Sequence, residues 1–482
     1  MGEAPRRYRP RKKSYAGPGP GDGYWGSWAW QIKSVDAARR RILFGSGGSQ
    51  TTRGALNAGP WYVEGIKEEL TAPGEWVHSR QDGKVYMYPN SSGHQGSSPS
   101  SSSVVAARLE QIIAVRGTQG RAVVGVNVSG FQLRHSAAHY TGPYPTCGGG
   151  DFCAARTATV LVTGAEGVRL SGLDIEHCGG NGVAIIDYAR GVEVSGCSLR
   201  HVGEVGIVVQ GLTDGIDATG GNYPVGTHIH HNFVYEVATK MRGGCFFFQS
   251  MAARTELDHN VALNGPRAGV NFNDGMGGGN NVHHNLIGNF VRESADHGNE
   301  NTWDRVPFIT TFGNGSRSLV PAWTRNHHNL WLLPNFGSNI DHDDGSAYYN
   351  DSYNVMLGGG GWTKHAGPHQ MALGNLWIND HALDPERPDT GGTCARVSGD
   401  NAPFSDNICV GYDTIDEESA PTSSNDTARN VLYTANGEAK INNYKSLAAA
   451  QAAGLEPGSS ARKISSLGVE GVLAAVRSLL DF

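Results

Sequence analysis

Charge is scarce in this chain. Asp, Glu, Lys and Arg make up 17% of the 482 residues, and the formal net charge is -6. A nucleic-acid partner is therefore not expected, because neutralising phosphates needs a basic surface. The one basic run, Arg6 to Lys13, lies in a Pro/Gly-rich stretch, and residues 1–24 read as a disordered tail. Long apolar runs are missing too. None approaches the ~20 residues that span a bilayer, so no membrane partner is expected. Nor is there a secretory leader, since Arg6, Arg7, Arg9 and Arg11 follow Met1 with no apolar segment behind them. Seven cysteines are too few for a disulfide-built fold, and none shows zinc-site spacing. Cys147 and Cys153 either close a small ring in an oxidising compartment or are two unpaired loop thiols. Cys197, Cys245 and Cys409 fall inside apolar strand patterns and read as small core residues.

What the chain has in excess is glycine, 68 residues, together with many Asn and many short Val/Ile/Leu runs. That combination points to numerous tight turns between short strands. The turns repeat. Gly167-Val168-Arg169-Leu170-Ser171-Gly172 recurs as Gly191-Val192-Glu193-Val194-Ser195-Gly196, and Gly182-Val183-Ala184-Ile185-Ile186 as Gly206-Ile207-Val208-Val209. Both offsets are 24 (191−167, 206−182). An Asn before apolar residues returns at Asn232, Asn260, Asn285, Asn329, Asn354, Asn375, Asn407 and Asn430.

A period in the low twenties with several short strands per repeat is that of a right-handed parallel β-helix. Each turn adds one strand to each of several sheets, and no turn buries its apolar face alone. The recurring Asn fits an internal amide ladder. A leucine-rich solenoid would need a regular L-x-x-L-x-L frame with helical segments, which is absent. The fold class is accordingly all-β: an N-terminal β-region over 25–103 with a Ser-rich loop (Ser91 to Ser103), the β-helix over 104–435, and a helical cap over 436–482. Helices are expected at Ser446 to Ala453 and Val469 to Leu480.

Several segments then resemble the pectate-lyase-like β-helix superfamily, and more narrowly the β-helix glycoside hydrolases around family 141. They are Glu69-Leu70-Thr71-Ala72-Pro73-Gly74-Glu75-Trp76, Gly265-Pro266-Arg267-Ala268-Gly269-Val270-Asn271-Phe272-Asn273-Asp274-Gly275, Asp296-His297-Gly298 leading into Asn301-Thr302-Trp303-Asp304-Arg305, and Ile340-Asp341-His342-Asp343-Asp344-Gly345-Ser346. The resemblance covers roughly residues 25–380. It implies a carbohydrate-active protein, most simply a hydrolase of a plant or algal polysaccharide, acting as a monomer outside the cell or at its wall. Relatives carry an opening strand region before the A-P-G-E-W block, so the chain is expected to start late. Asn299 and Glu300 replace the usual D-H-G-P-x spacer, and Thr302 replaces Ser.

Aligning the repeats on Gly182, Gly206, Gly244 and Gly269 places Asp187, Gln210, Gln249 and Asp274 in one polar column, suited to sugar hydroxyls. Asp274, Asp296, Asp304, Asp341, Asp343 and Asp344 form an acidic cluster over consecutive turns. Glycoside hydrolysis needs two carboxyls about 5–5.5 Å or 6.5–9.5 Å apart, spacings that neighbouring turns supply. Asp304 and Asp344 are the leading pair, with Asp304 as nucleophile or base and Asp344 or Asp343 as acid. Asp274 and Asp296 form the second pair. Arg305, Trp303, His297, His342 and Asn273 are candidate substrate contacts, alongside Gln249 and Asp187. No cofactor is expected of a hydrolase. A lyase would instead hold Ca²⁺, through Asp341, Asp343 and Asp344, and use Lys240, Arg242 or Arg305 as base. A non-catalytic carbohydrate-binding β-helix is the third reading. His230-His231, His283-His284 and His327-His328 precede ladder Asn residues and read as a structural habit of the repeat rather than a metal site.

Overall fold

Short strands with one fully buried residue at their centre recur along the chain. In Arg169–Ser171 that residue is Leu170, and in Glu193–Ser195 it is Val194. A three-residue strand of this kind persists only by pairing with its counterpart one turn away. In the computed structural model it does so in parallel, Arg169 opposite Glu193 and Val183 opposite Ile207. Both pairings carry the offset of 24 seen in the repeat (193−169, 207−183).

The structure describes residues 27, 29–47, 62–79, 81–88, 105–139, 141–142, 152–213, 217–273, 277–294, 297–305, 321–335, 337–364, 367–379, 382, 392–397, 402–417, 427–464, 466 and 468–480. Among them, three sheets of 10, 12 and 16 strands form the walls of a parallel β-helix. Leu170, Val194, Ile175, Leu199, Val183 and Ile207 are all at 0% exposure and belong to one continuous core between the walls. Each such side chain contributes roughly 1.5–3 kcal/mol by leaving water. The twelve-stranded sheet runs on to Ser460–Lys463. The coil therefore continues past residue 435, and helix α1 (Leu447–Ala452) is inserted before its last strand. Ser446 caps α1, its Oγ accepting the Ala449 N–H, while Leu447 and Ala450 enter the coil's core. Helix α2 (Val469–Leu480) follows, with Val472 in a smaller apolar cluster. No helix among the described residues is long and apolar enough to cross a membrane.

The N-terminal β-region expected over 25–103 is divided between two units. One, within 56–107, holds the hairpin Trp76–Ser79/Lys84–Met87, where Glu75 accepts the Thr71 and Ala72 N–H groups at 2.7 and 2.8 Å. The A-P-G-E-W block thus has a structural use. The hairpin Trp30–Asp36/Arg41–Gly47 belongs to the unit that contains the coil. Residues 1–24 and Ser91 to Ser103 lie outside the described residues.

Between the ten- and twelve-stranded sheets each turn passes through one left-handed residue. Glycine fills the position at 172 and 196 (φ 59° and 60°), and His fills it at 231, 259, 284 and 328 (φ 56°, 52°, 55° and 56°). His is among the few non-glycine residues enriched in that conformation, which explains the recurring His before Asn. The Asn that follows builds the ladder. Asn260 Oδ1 accepts both the backbone N–H and the side-chain amide of Asn232, at 3.1 and 2.9 Å. The same pair of bonds recurs through Asn285, Asn329, Asn354, Asn375, Asn407 and Asn430. Cys197 begins the column, donating its N–H to Asn232 at 2.9 Å, and buried Glu456 accepts from Asn430 at 3.0 Å at the other end. Cys197 and Cys245 are buried thiols as expected, but Cys409 is bridged to Cys394 in the core. Cys153 is disulfide-bonded, and Cys147 lies outside the described residues.

One stretch of the interior is polar. Glu300 pairs with Val270 and Ile340, so its carboxyl points into the coil. Asn326 donates to both Glu300 and Asp351, Asp351 also accepts from Trp362 Nε1 at 2.8 Å, and His342 Nε2 meets it at 2.6 Å. Burial, then the Asp351 charge, pushes the Glu300 pKa well up. The folded state thus holds a proton that the unfolded chain gives up near pH 4.5, and stability falls as pH rises above that value. Glu300→Gln keeps an acceptor for Asn326 and carries no titrating proton. It is expected to stabilise the fold above about pH 4.5, by more at about pH 8 than at about pH 5. Urea unfolding at the two pH values measures the difference, and equal or negative shifts would contradict the account.

Candidate functional site

The outer face of the sixteen-stranded sheet changes character along the coil. Side chains alternate in and out along a strand, so each outward column can be followed by register. One column runs Leu161, Ala184, Val208, Phe248, Asn271, Asn301, Asp341. Its first four members are apolar and covered by Phe152, Met241 and Cys245. The last three are amides and a carboxylate. A second outward column, two residues along each strand, contains Asn273, Trp303 and Asp343, placed by the backbone bonds Asn273 N–H to Gln249, Trp303 N–H to Phe272 and Asp343 N–H to Thr302.

This polar part of the face is well ordered by its own contacts. Arg267, 1% exposed, donates to Asn271 Oδ1 and to His297 Nε2 at 2.6 Å, with its guanidinium 5.7 Å from the Phe152 ring centre. Because arginine can only donate, His297 carries its lone pair on Nε2 and its proton on Nδ1. Asn273 donates to the Phe152 carbonyl. Asn301, at 0% exposure, has neither its Oδ1 nor its Nδ2 hydrogen-bonded. A buried amide without partners costs free energy unless something else satisfies it.

The W-D-R and D-D-G-S segments follow adjacent strands that set Thr302 opposite His342, and beyond them the Asp304 carbonyl accepts the Ala347 N–H at 3.2 Å, with Asp344 in the intervening turn. Ser346 ties them, its Oγ donating to the Thr302 carbonyl at 2.7 Å and accepting the Asp304 N–H at 3.3 Å. Arg305 lies 3.8 Å over the Trp303 ring, and its Nε donates to the Asp344 carbonyl at 2.7 Å. Asp343 holds the turn by accepting the Asp344 N–H at 2.7 Å. Asp304 is 7% exposed, Asp343 half-buried and Asp344 exposed. The Tyr349 phenol beside them is held protonated, its pKa raised first by burial and then by the charges of Asp304, Glu300 and Asp351.

The structure thus gathers Trp303, Asp304, Arg305, Asp343 and Asp344 in one place, with Asn273 and His297 on the same outer face. Asp274 and Asp296 lie outside the described residues. Two expected substrate contacts are corrected. Gln249 pairs with Val209 and points into the coil, bonding the Ala252 carbonyl and Asn280. In register Gln210 is matched by Ser250, so an alignment that sets Gln249 beside Gln210 is one residue out and puts Gln249 on the wrong face. His342 is likewise interior, at 0% exposure, held between Asp351 and Thr302 (2.9 Å), and has no hydrogen left for a sugar. Asp187, in a left-handed turn, is bound by Arg156. Of the bases considered for a lyase, Arg242 is engaged by Glu293 and the Ala238 carbonyl. Asn271, Asn301 and Arg267 were not anticipated as site residues. The signal for the first was present in the alternation of Val270-Asn271-Phe272-Asn273, where two amides share the face opposite two core residues.

No family model matches the chain, and no curated protein matches it. Among solved structures, a glycoside hydrolase aligns with a TM-score of 0.53 at 19% identity, over 74% of this chain and 66% of its own. The tailspike protein of E. coli bacteriophage HK620, in complex with a pentasaccharide, aligns with a TM-score of 0.33 at 11% identity, over 67% of this chain and 56% of its own. The chain therefore spans less than two thirds of either protein. The first likeness is one of fold, a parallel β-helix.

Proposed function

We propose that this protein binds a carbohydrate polymer along the outer face of the sixteen-stranded sheet and hydrolyses it at Asp304 and Asp344. The observation that carries the reading is the passage of that face from apolar to amide and carboxylate at Asn271, Asn301 and Asp341, with the Asn301 amide buried and unbonded beside the Trp303–Arg305 stack. Sugar hydroxyls both donate and accept, so they suit an amide in need of both partners, and an indole is a platform for the apolar face of a sugar ring. The likeness of fold to a glycoside hydrolase agrees with this reading.

Asp304 and Asp344 lie just beyond the ends of two paired strands, and Arg305 joins their segments by donating to the Asp344 carbonyl; glycoside hydrolysis needs two carboxyls brought together in this way. Asp304, enclosed beside Tyr349, is assigned as nucleophile or base. Asp344, exposed at the mouth, is assigned as the acid that protonates the leaving oxygen, and Asp343 positions it. Asp341 and Asn301 orient the sugar. A lyase using Ca²⁺ would need Asp341, Asp343 and Asp344 to converge on one ion. Among the described residues, the groups whose ligand atoms lie within 4.8 Å of one another are elsewhere.

The test is incubation with a panel of plant and algal polysaccharides, assaying reducing ends with and without EDTA. Chelator-insensitive release supports the hydrolase. Ultraviolet-absorbing products lost with chelator would overturn it in favour of a lyase, and retention of a polymer without cleavage in favour of a binding protein.

A further inference from the structure

The turn between the ten- and twelve-stranded sheets carries a second concentration of chemistry, unrelated to the carbohydrate reading. By register, His230, Asp258, His283 and His327 lie opposite one another on four successive turns. Each is followed by a histidine in the left-handed conformation: His231, His259, His284 and His328. The rings of these second histidines stack at 4.8, 5.1 and 5.3 Å. Each first residue aims an acceptor at its neighbour. The Nδ1–Nδ1 distances are 2.9, 2.8 and 2.9 Å in the three His–His pairs, and Asp258 Oδ2 lies 2.7 Å from His259 Nδ1.

The backbone accounts for a left-handed His but not for its partner, nor for the shared proton arrangement. His283 Nε2 lies 2.8 Å from Glu256 Oε1, and His327 Nε2 lies 3.0 Å from Asn281 Oδ1. Asn281 is oriented by its own amide bond to Glu256 at 3.1 Å. Those oxygens accept, so both rings carry their proton on Nε2 and direct a bare Nδ1 lone pair at the next imidazole. His230 repeats the arrangement more loosely, its Nε2 3.4 Å from Glu193. An oxygen that fixes the far nitrogen of a histidine is the usual support for a metal-ligating one.

We propose that this column binds one divalent transition-metal ion, held by His231, Asp258 and His259, with His230 beside them. The ligand atoms of those three residues lie within 4.8 Å of one another. A second group, Glu256, Asp258 and His283, meets the same criterion and shares Asp258. Asp258 is 6% exposed and already contacts His228 Nε2 at 2.6 Å, so it is a fixed anion common to both groups. Two dications ~5 Å apart would repel by ~3 kcal/mol even in water, which limits the column to one tightly held ion. Two nitrogens each ~2.1 Å from an ion are ~3.0 Å apart at a right angle and ~3.4 Å apart in a tetrahedron. The 2.9 Å between the His230 and His231 Nδ1 atoms is a hydrogen-bond separation and not a ligand spacing, so the expected preference for Cu(II) over Zn(II) rests on the general affinity order of divalent ions at nitrogen and oxygen ligands.

The test uses the full chain, stripped with EDTA and freed of it, titrated with CuCl₂, NiCl₂ and ZnCl₂ by calorimetry, with Cu(II) also examined by EPR. The expected result is one ion per chain with a dissociation constant on the order of micromolar, Cu(II) tighter than Zn(II), and nitrogen splitting in the EPR spectrum. His231→Asn with His259→Asn keeps residues that tolerate the left-handed turn and should weaken binding roughly a hundredfold, at least the loss typical of outer-shell partners. His284→Asn with His328→Asn occupies the same turn position lower in the column and should change it by less than about threefold. Asp258→Asn provides a check that leaves both turns intact and should also weaken binding. Equal losses in the two double variants, several ions per chain, or an EPR spectrum without nitrogen splitting would overturn the site in favour of general adsorption to surface imidazoles.

Discussion

Asp304→Asn is expected to lower kcat on the responsive polysaccharide by about 10²–10⁴-fold, the range typical of one positioned proton-transfer group, and by more if Asp304 is the nucleophile. The substitution removes a charge and keeps the shape, so the Ser346–Asp304 backbone bond and the burial of the side chain are retained. KM should change little, because Asn keeps the size and burial of the side chain at 304. Asp344→Asn should be comparably slow with substrates whose leaving group needs protonation. It should recover with activated aryl glycosides, whose leaving groups need no acid. That split between the two variants identifies the acid, and equal losses on both substrate types would contradict the assignment. Asp343→Asn should be milder, since an Asn oxygen can still accept the Asp344 N–H.

The second large effect is on stability. Asn329 sits in the middle of the ladder, accepting the Asn285 N–H and amide at 2.9 and 3.0 Å, with its own amide at 3.0 Å from the Val282 carbonyl and 3.1 Å from Asn354. Asn329→Ala strands at least two buried polar groups, at ~1–3 kcal/mol each, so a loss of roughly 3–5 kcal/mol is expected. Cys197→Ala, at the head of the same column, leaves the ladder bond of the Cys197 N–H in place and removes only weak thiol contacts, with the Leu173 N–H at 3.5 Å and the Leu170 and Ser195 carbonyls at 3.7 and 3.4 Å, and should cost about 1 kcal/mol. A coil of repeats can open locally. Hydrogen exchange should therefore rise first in the turns at Asn285 and Asn354 and spread from there. Uniform exchange along the coil, or a loss no larger than that of Cys197→Ala, would contradict the ladder's role.

The coil was legible because its signals are periodic. The offset of 24 between Gly167 and Gly191 became a strand register without adjustment, and the Asn residues that recur before apolar runs all entered one hydrogen-bonded column. Legibility failed where the turn length changed. Between Gly206 and Gly244 the chain takes a longer path, and the residue in register with Gln210 is Ser250, so a one-residue error in the strand turned Gln249 from the core to the surface. His342 was misplaced for a related reason. Between two acids it reads as a surface donor, but alternation with Asp341 sends it inward, where Asp351 satisfies it. Cys409 looked like a core apolar residue and does lie in the core, but nothing in the strand pattern reveals that Cys394, on a strand of the sixteen-stranded sheet, lies within bonding distance of it.

The candidate site was legible as motifs and not as a surface. Asp304 and Asp344 could be paired because each lies in a distinctive segment, and the structure brings those segments together beyond the ends of two paired strands. The outward columns that give the site its polar floor depend on register across several turns of unequal length. Asn271, Asn301 and Arg267 therefore emerge only in three dimensions. Glu300 shows the converse, for its departure from the D-H-G-P-x pattern of the proteins the sequence resembles proves to be an interior feature and not a change on the outer face.

A structure of the Asp304→Asn protein with an oligosaccharide from the responsive polymer tests the central claim most directly. The account places the sugar along Asn271, Asn301 and Asp341, with the Asn301 amide bonded to its hydroxyls and the scissile linkage between residues 304 and 344. A sugar bound on another face, with the Asn301 amide still unbonded, would contradict it.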